Sequence, residues 1–234
     1  MAPASENPEP GAPDHPRRQF LSTAMAVSAV LTAATSLPGT EPMPSTPANQ
    51  NPRLFSFVGS DVGTWKVTSQ RTIVGEALPS VARVEVVAGD VAAAESGWVL
   101  RGATSHERYV TRSEKNELLR KQVALGRAEA TSGAILPIRK NDKWWALTQE
   151  ERRAIFEETS HHIAIGMKYL PAVARRLHHC RDLSRVEPFD FITLFDFAPA
   201  DSSAFDDMLT SLRATEEWKY IDREIDIRLE RQQS

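Results

Sequence analysis

The order of element types in the second half of the chain is its strongest constraint. Ser132–Lys140 reads "SGAILPIRK", a short apolar strand ending in charge. Thr148 and Glu151 form a capping box, and apolar residues at Ile155, Phe156, Ile163, Gly166, Met167 and Leu170 recur three and four apart. That spacing predicts one amphipathic helix from Thr148 to about Tyr169, stopped at Leu170-Pro171. "AVARRLHHC" then alternates as a strand, and "RDLSRVEP" suits a hairpin loop. "FDFITLFDF" is a second strand, with Phe189, Phe191, Thr193 and Phe195 expected on one face. A helix from about Ser202 to Glu217 uses Phe205, Met208, Leu209 and Leu212, and "IDREIDIRLE" closes as a strand. Together these give β-α-β-β-α-β, the ferredoxin-like order.

The first half carries a shorter version. "RLFSFVG", "TWKVTSQRTIV", "VARVEVVAG" and "GWVLRGATSHERYVTR" read as strands, and "RSEKNELLRKQVALG" as a helix closed by Gly126. The expectation is an α+β fold, a dimeric ferredoxin-like α/β barrel. It has two ferredoxin-like units per chain, a truncated one over 53–127 and a complete one over 128–234.

Ahead of them, Arg17 and Arg18 precede a weakly apolar run from Phe20 to Ala34. Residues 1–36 therefore resemble a twin-arginine export signal, and 37–52 read as a Pro-rich linker. The apolar run is too short and too rich in Ala, Ser and Thr for a stable membrane span. Export implies a periplasmic protein; without it the chain is cytoplasmic. A net charge of −3 leaves no electrostatic footprint for nucleic acid. The single cysteine, Cys180, excludes an intrachain disulfide and any multi-thiolate metal site.

The stretch "EETSHHIAIGMKYLPAVARRLHHC" concentrates the candidate chemistry. On the helix, His162 falls on the apolar stripe, while His161 shares the polar side with Glu157, Glu158 and Lys168. Gly166, one turn after His162, leaves room for something flat or bulky. A lone inward histidine is more often a hydrogen-bonded core residue than a ligand. His178 and His179 face opposite ways on a strand, a poor chelating geometry, and read as structural or surface residues. Arg175 faces with Val173 and Leu177, and an always-charged guanidinium there needs an anion, either a protein carboxylate or a bound ligand.

"WWALTQEERRAIFEETSHHIAIG", "YLPAVARRLHHCRDL", "FDFITLFDFAP", "LRATEEWKYIDREIDIRL" and, in the first half, "FVGSDVGTWKVTSQRTIVGEALP" resemble the chlorite dismutase family, most closely its short-chain branch. The resemblance spans about residues 53–230. It implies one haem b per subunit in the C-terminal unit, a homodimer as in short chains rather than the pentamer of long ones, and chlorite as substrate. It places His162 as the axial iron ligand and Arg175 as the distal, catalytic arginine. Glu217 becomes the carboxylate on the ligand histidine and Lys140 the lysine pairing with it. Spacing also admits Glu216, but the surrounding residues favour Glu217. Trp144 and Trp145 match the tryptophan pair beside the haem, and Tyr109 a propionate contact. Without the resemblance, Lys140 reads as a surface charge and the tryptophans as core.

The activity so implied converts chlorite to chloride and dioxygen through a ferryl and hypochlorite stage. The alternatives are a coproporphyrin-haem decarboxylase or a haem peroxidase on the same fold, and, in another class, a non-catalytic haem-binding or sensing module. Relatives that decarboxylate typically lack the distal arginine.

Overall fold

The computed structural model describes residues 51–91, 97–104 and 108–232. The signal expected over 1–36 lies outside the described residues, as does all but the end of the linker. The described strands are β1 (Leu54–Ser60), β2 (Trp65–Val74), β3 (Arg83–Ala88), β4 (Trp98–Thr104), β5 (Ser132–Lys140), β6 (Ala174–His179), β7 (Phe191–Phe197) and β8 (Ile221–Arg231). They form a closed barrel in the order β1-β3-β2-β8-β5-β7-β6-β4, and every neighbouring pair is antiparallel.

The order repeats. Taken from one end, the first four strands lie as β4-β1-β3-β2 and the last four as β8-β5-β7-β6, the same permutation of fourth, first, third and second. The halves differ in their connections. β1 reaches β2 directly, whereas β5 reaches β6 through α2 (Asp142–Ala146), α3 (Gln149–Arg153), a π-helical turn (Ala154–Thr159) and α4 (His162–Lys168). α1 (Arg112–Lys121) follows β4, and α5 (Ser202–Arg213) links β7 to β8.

The period-two pattern of the strands sorts residues into two cores. Phe57, Trp65, Val84, Leu100, Ile135, Ile192, Leu194, Ile225 and Ile227 fill one, inside the barrel. Ala134, Leu136, Phe195 and Phe197 point outward and bury Phe205, Met208, Leu209 and Leu212 of α5. Phe189 departs from the expected face. It precedes β7, outside the period-two register, and joins the interior cluster with Ile192 and Leu194.

Several expected boundaries also shift. α1 ends at Lys121, not Gly126, because Gln122 is already extended. β4 ends at Thr104, short of Arg112. The capping box of Thr148 and Glu151 is present as expected. The helix it opens is not continuous to Tyr169. It passes into the π turn and breaks at His161, whose φ is +54. Glu157, expected on the polar side, is buried instead and caps the restarted helix: its carboxylate accepts from the N–H groups of Ile163 at 2.6 Å and Ala164 at 3.3 Å. Free N–H groups at a helix start draw a carboxylate, and the break creates such a start. Among the described residues no helix is long and apolar enough to cross a membrane.

His178 and His179 are both buried. His178 Nδ1–H donates to the Ile192 carbonyl at 3.1 Å, Nε2 accepts from Arg176 Nε at 3.2 Å, and the ring meets Phe55 and Phe57 edge-on. Burial, with Arg176 adding to it, pushes His178 down to about 4. A histidine depressed in the fold is charged first in the unfolded chain. Its contribution is therefore intact above pH 6.5 and lost as pH falls toward 4, about 3 kcal/mol in full for a shift of this size. Urea titrations at pH 7 and pH 4.5 should show a smaller acid loss for His178→Gln than for wild type. An equal loss would show that His178 is not the acid-sensitive group.

Candidate functional site

The sequence between β5 and β6 folds back to meet the segment just before β8. Lys140 is the last residue of β5 and is 3% exposed; a register shift marks this end of the β5–β8 ladder. Its Nζ donates to Glu217 Oε1 at 2.8 Å and to the Glu217 carbonyl at 3.2 Å. The other oxygen, Glu217 Oε2, lies 2.6 Å from His162 Nδ1. Glu217 is also 3% exposed, and its backbone N–H donates to Ser160 Oγ at 2.9 Å. Glu216 is the solvent-side neighbour, paired with Lys219.

Burial alone would raise Glu217, but the charges of His162 and Lys140 outweigh it and hold the carboxyl down to about 2. Burial pulls Lys140 down, and Glu217 foremost opposes this. With an ionised carboxylate 2.8 Å away, the ion pair is the state the geometry favours. An ionised carboxylate only accepts, so His162 carries a proton on Nδ1, and it is the neutral form of the ring that leaves the Nε2 lone pair for a ligand.

His162 begins α4, and its side chain is 24% exposed. Phe156 stacks on its ring at 4.3 Å between centroids, and Trp218 lies nearly parallel at 6.5 Å. The helix break brings this about: the left-handed His161 turns outward and restarts the helix at His162. One turn on, a Cβ on Gly166 would fall 2.1 Å from Arg175 Nη1. The room left by Gly166 is filled by the flat guanidinium. Arg175 has no carboxylate partner among the described residues, and burial lowers its pKa. Leu177, on the same face of β6, is an exposed apolar side chain.

The remaining candidates lie around this group. Trp144 is buried beneath Lys140, whose Nζ sits 4.6 Å from the ring centroid, and its Nε1–H has no partner in the described structure. Trp145 faces away from that contact. Its Nε1 donates to Asp190 Oδ2 at 3.1 Å, and Arg181 and Arg152 lie over its ring. Asp190 also accepts the Lys140 N–H at 2.7 Å, fixing the end of β5. Tyr109 adopts φ +62 and packs edge-on to Trp144 and against Phe156, while Arg153 donates to its carbonyl. No sequence signal singles out Trp218 or Ser160, and Glu157 is expected on the polar side of the helix. Trp218 is the most accessible of these once Glu217 is placed, since an aromatic next to a buried carboxylate must border the same site.

This donor set suits one kind of metal group. No cluster of three or more His, Cys, Asp or Glu able to hold a bare ion occurs among the described residues. Haem iron brings four nitrogens of its own and needs one protein ligand. A neutral imidazole with a carboxylate behind it, an exposed Nε2, flanking aromatics and an unpaired buried indole N–H fit that requirement.

A family model described as chlorite dismutase matches residues 61–232. The chain belongs to the chlorite dismutase family. Among solved structures, a family member from Nitrobacter winogradskyi, described as dimeric, is 49% identical. It aligns over 76% of this chain and 99% of that one with a TM-score of 0.70. A variant from Candidatus Nitrospira defluvii is 18% identical, covers 76% of this chain and 91% of that one at a TM-score of 0.52, and shares the fold. The chlorite dismutase of Ideonella dechloratans is 35% identical over 86 residues, which are 37% of this chain and 27% of that protein's length.

Proposed function

We propose that this family member is a haem b-dependent chlorite dismutase that converts chlorite to chloride and dioxygen. The observation that carries the reading is the buried chain Lys140–Glu217–His162, with the Arg175 guanidinium, which has no carboxylate partner among the described residues, against Gly166 on the helix that His162 begins. In this reading His162 would hold the haem iron through Nε2, and the iron, when bound, would supply the redox chemistry that breaks the Cl–O bonds. Glu217, ionised between His162 and Lys140, keeps the proton on Nδ1 and orients the ring. Arg175 attracts the chlorite anion and holds oxyanion fragments close, and an always-charged group does this at any working pH. Trp144, Trp145 and Tyr109 border the cofactor, with the Trp144 N–H free to meet an acceptor such as a propionate.

The repeated strand order supports two ferredoxin-like units, the first lacking the crossover helices. One haem per subunit and a homodimer complete the assignment, the latter in line with the dimeric relative from Nitrobacter winogradskyi. The Arg17-Arg18 leader supports export to the periplasm.

An oxygen electrode tests the activity directly. Chlorite added to haem-loaded protein should give a burst of dioxygen. Arg175→Ala should keep its haem and lose roughly tenfold to a hundredfold in kcat/KM, the worth of one hydrogen bond to a charged group. No dioxygen from fully loaded wild type would end the dismutase reading, and coproporphyrin haem with peroxide would be tried next.

A further inference from the structure

We propose that Glu224 is a positioning residue of the His162 site, acting through Trp218. Trp218 follows Glu217 in the 3₁₀ turn Glu217–Tyr220 that leads into β8. Its ring lies 18° from the plane of His162, and Lys140 Nζ is 5.9 Å from its centroid. The indole thus lies against both ends of the Lys140–Glu217–His162 chain. One hydrogen bond sets its orientation: Nε1–H donates to Glu224 Oε2 at 2.8 Å.

Glu224 does not depend on the ligand site for its own position. It is fully buried on β8, and its Oε1 is gripped by Arg213 Nε at 2.9 Å and Nη2 at 2.5 Å, from the last turn of α5. Arg213 also reaches Asp226 at 3.0 Å. Asp226 takes Arg228 Nε at 2.5 Å, and Arg228 pairs with Asp206 of α5 at 2.7 Å. Each carboxylate oxygen of Glu224 is therefore committed, one to α5 and one to the indole. A buried ion pair at such a position is no more stabilising than apolar packing, so its selective gain lies in fixing geometry. What it fixes here is a half-buried indole with two free torsions, next to a hydrogen bond whose strength depends on exclusion of water.

This inference rests on the haem assignment. If the indole comes loose, water reaches the Glu217–His162 hydrogen bond, the imidazole becomes a poorer donor, and the bound iron is easier to reduce. The test compares haem-loaded wild type with Glu224→Leu, Glu224→Gln and Trp218→Phe. The readouts are the midpoint reduction potential and the iron–histidine stretching band of the ferrous protein, alongside thermal unfolding. Glu224→Leu and Trp218→Phe should shift the potential positive and the band to lower frequency. Glu224→Gln has a single oxygen for Arg213 or for Nε1–H but not both, so its shifts should be no larger than those of Glu224→Leu.

If Glu224→Leu does not fold, Trp218→Phe, which leaves the Arg213 network intact, carries the comparison. Wild-type values in every variant, even with lower melting temperatures, would make Glu224 purely structural and overturn the proposal. An iron–histidine band that persists in His162→Ala would instead overturn the assignment of His162 as the iron ligand, and haem-loaded wild type that shows no such band would overturn the haem assignment itself.

Discussion

His162→Ala protein reconstituted with haem and passed through a desalting column should emerge without the cofactor's main absorbance band, and should release no dioxygen from chlorite. Loss of an outer hydrogen-bonding partner typically weakens a metal site about tenfold to a hundredfold, and loss of the sole ligand exceeds that. The His178 and His179 imidazoles are buried, and His178 has both nitrogens engaged. Full haem retention with wild-type turnover in His162→Ala would remove His162 from the site.

Lys140→Met should cost about 3–5 kcal/mol of stability in the haem-free protein, because it strands an ionised carboxylate in the interior. Glu217 has His162 on one oxygen and only Lys140 on the other. The companion Lys140→Met/Glu217→Gln should recover part of the loss, since a neutral amide pays far less for burial. The pH dependence follows from the same pair. Glu217 is depressed to about 2 from 4.5, so its contribution is complete above pH 4.5 and disappears as pH falls toward 2. In Lys140→Met that depression shrinks and the acid limb of the stability curve flattens. A urea-unfolding free energy within about 1 kcal/mol of wild type would contradict the burial of the pair.

The element order and most strands were legible because they rest on local signals: alternation in β5, β7 and β8, the capping box at Thr148, and the apolar stripe of α5. His162 was placed inward for a partly mistaken reason. The stripe was read through an unbroken helix, yet the helix stops at His161 and restarts, and the two phases agree at His162. Glu157 shows the cost of that assumption, since a residue assigned to solvent caps the new helix. Lys140 could not be read from its neighbours. A lysine ending a strand is ordinarily solvated, and its partner here is a carboxylate 77 positions away. Trp218, Ser160 and Glu224 were missed for the same reason: their partners are remote in sequence, or defined only once the barrel closes.

His162 hangs from a chain of buried charges anchored on two neighbouring strands: Lys140 ends β5, and Glu217 stands in the turn that leads into β8. The strands that close the barrel therefore also hold the imidazole. The site has an anvil, because whatever meets His162 presses on a side chain that the barrel wall keeps from turning.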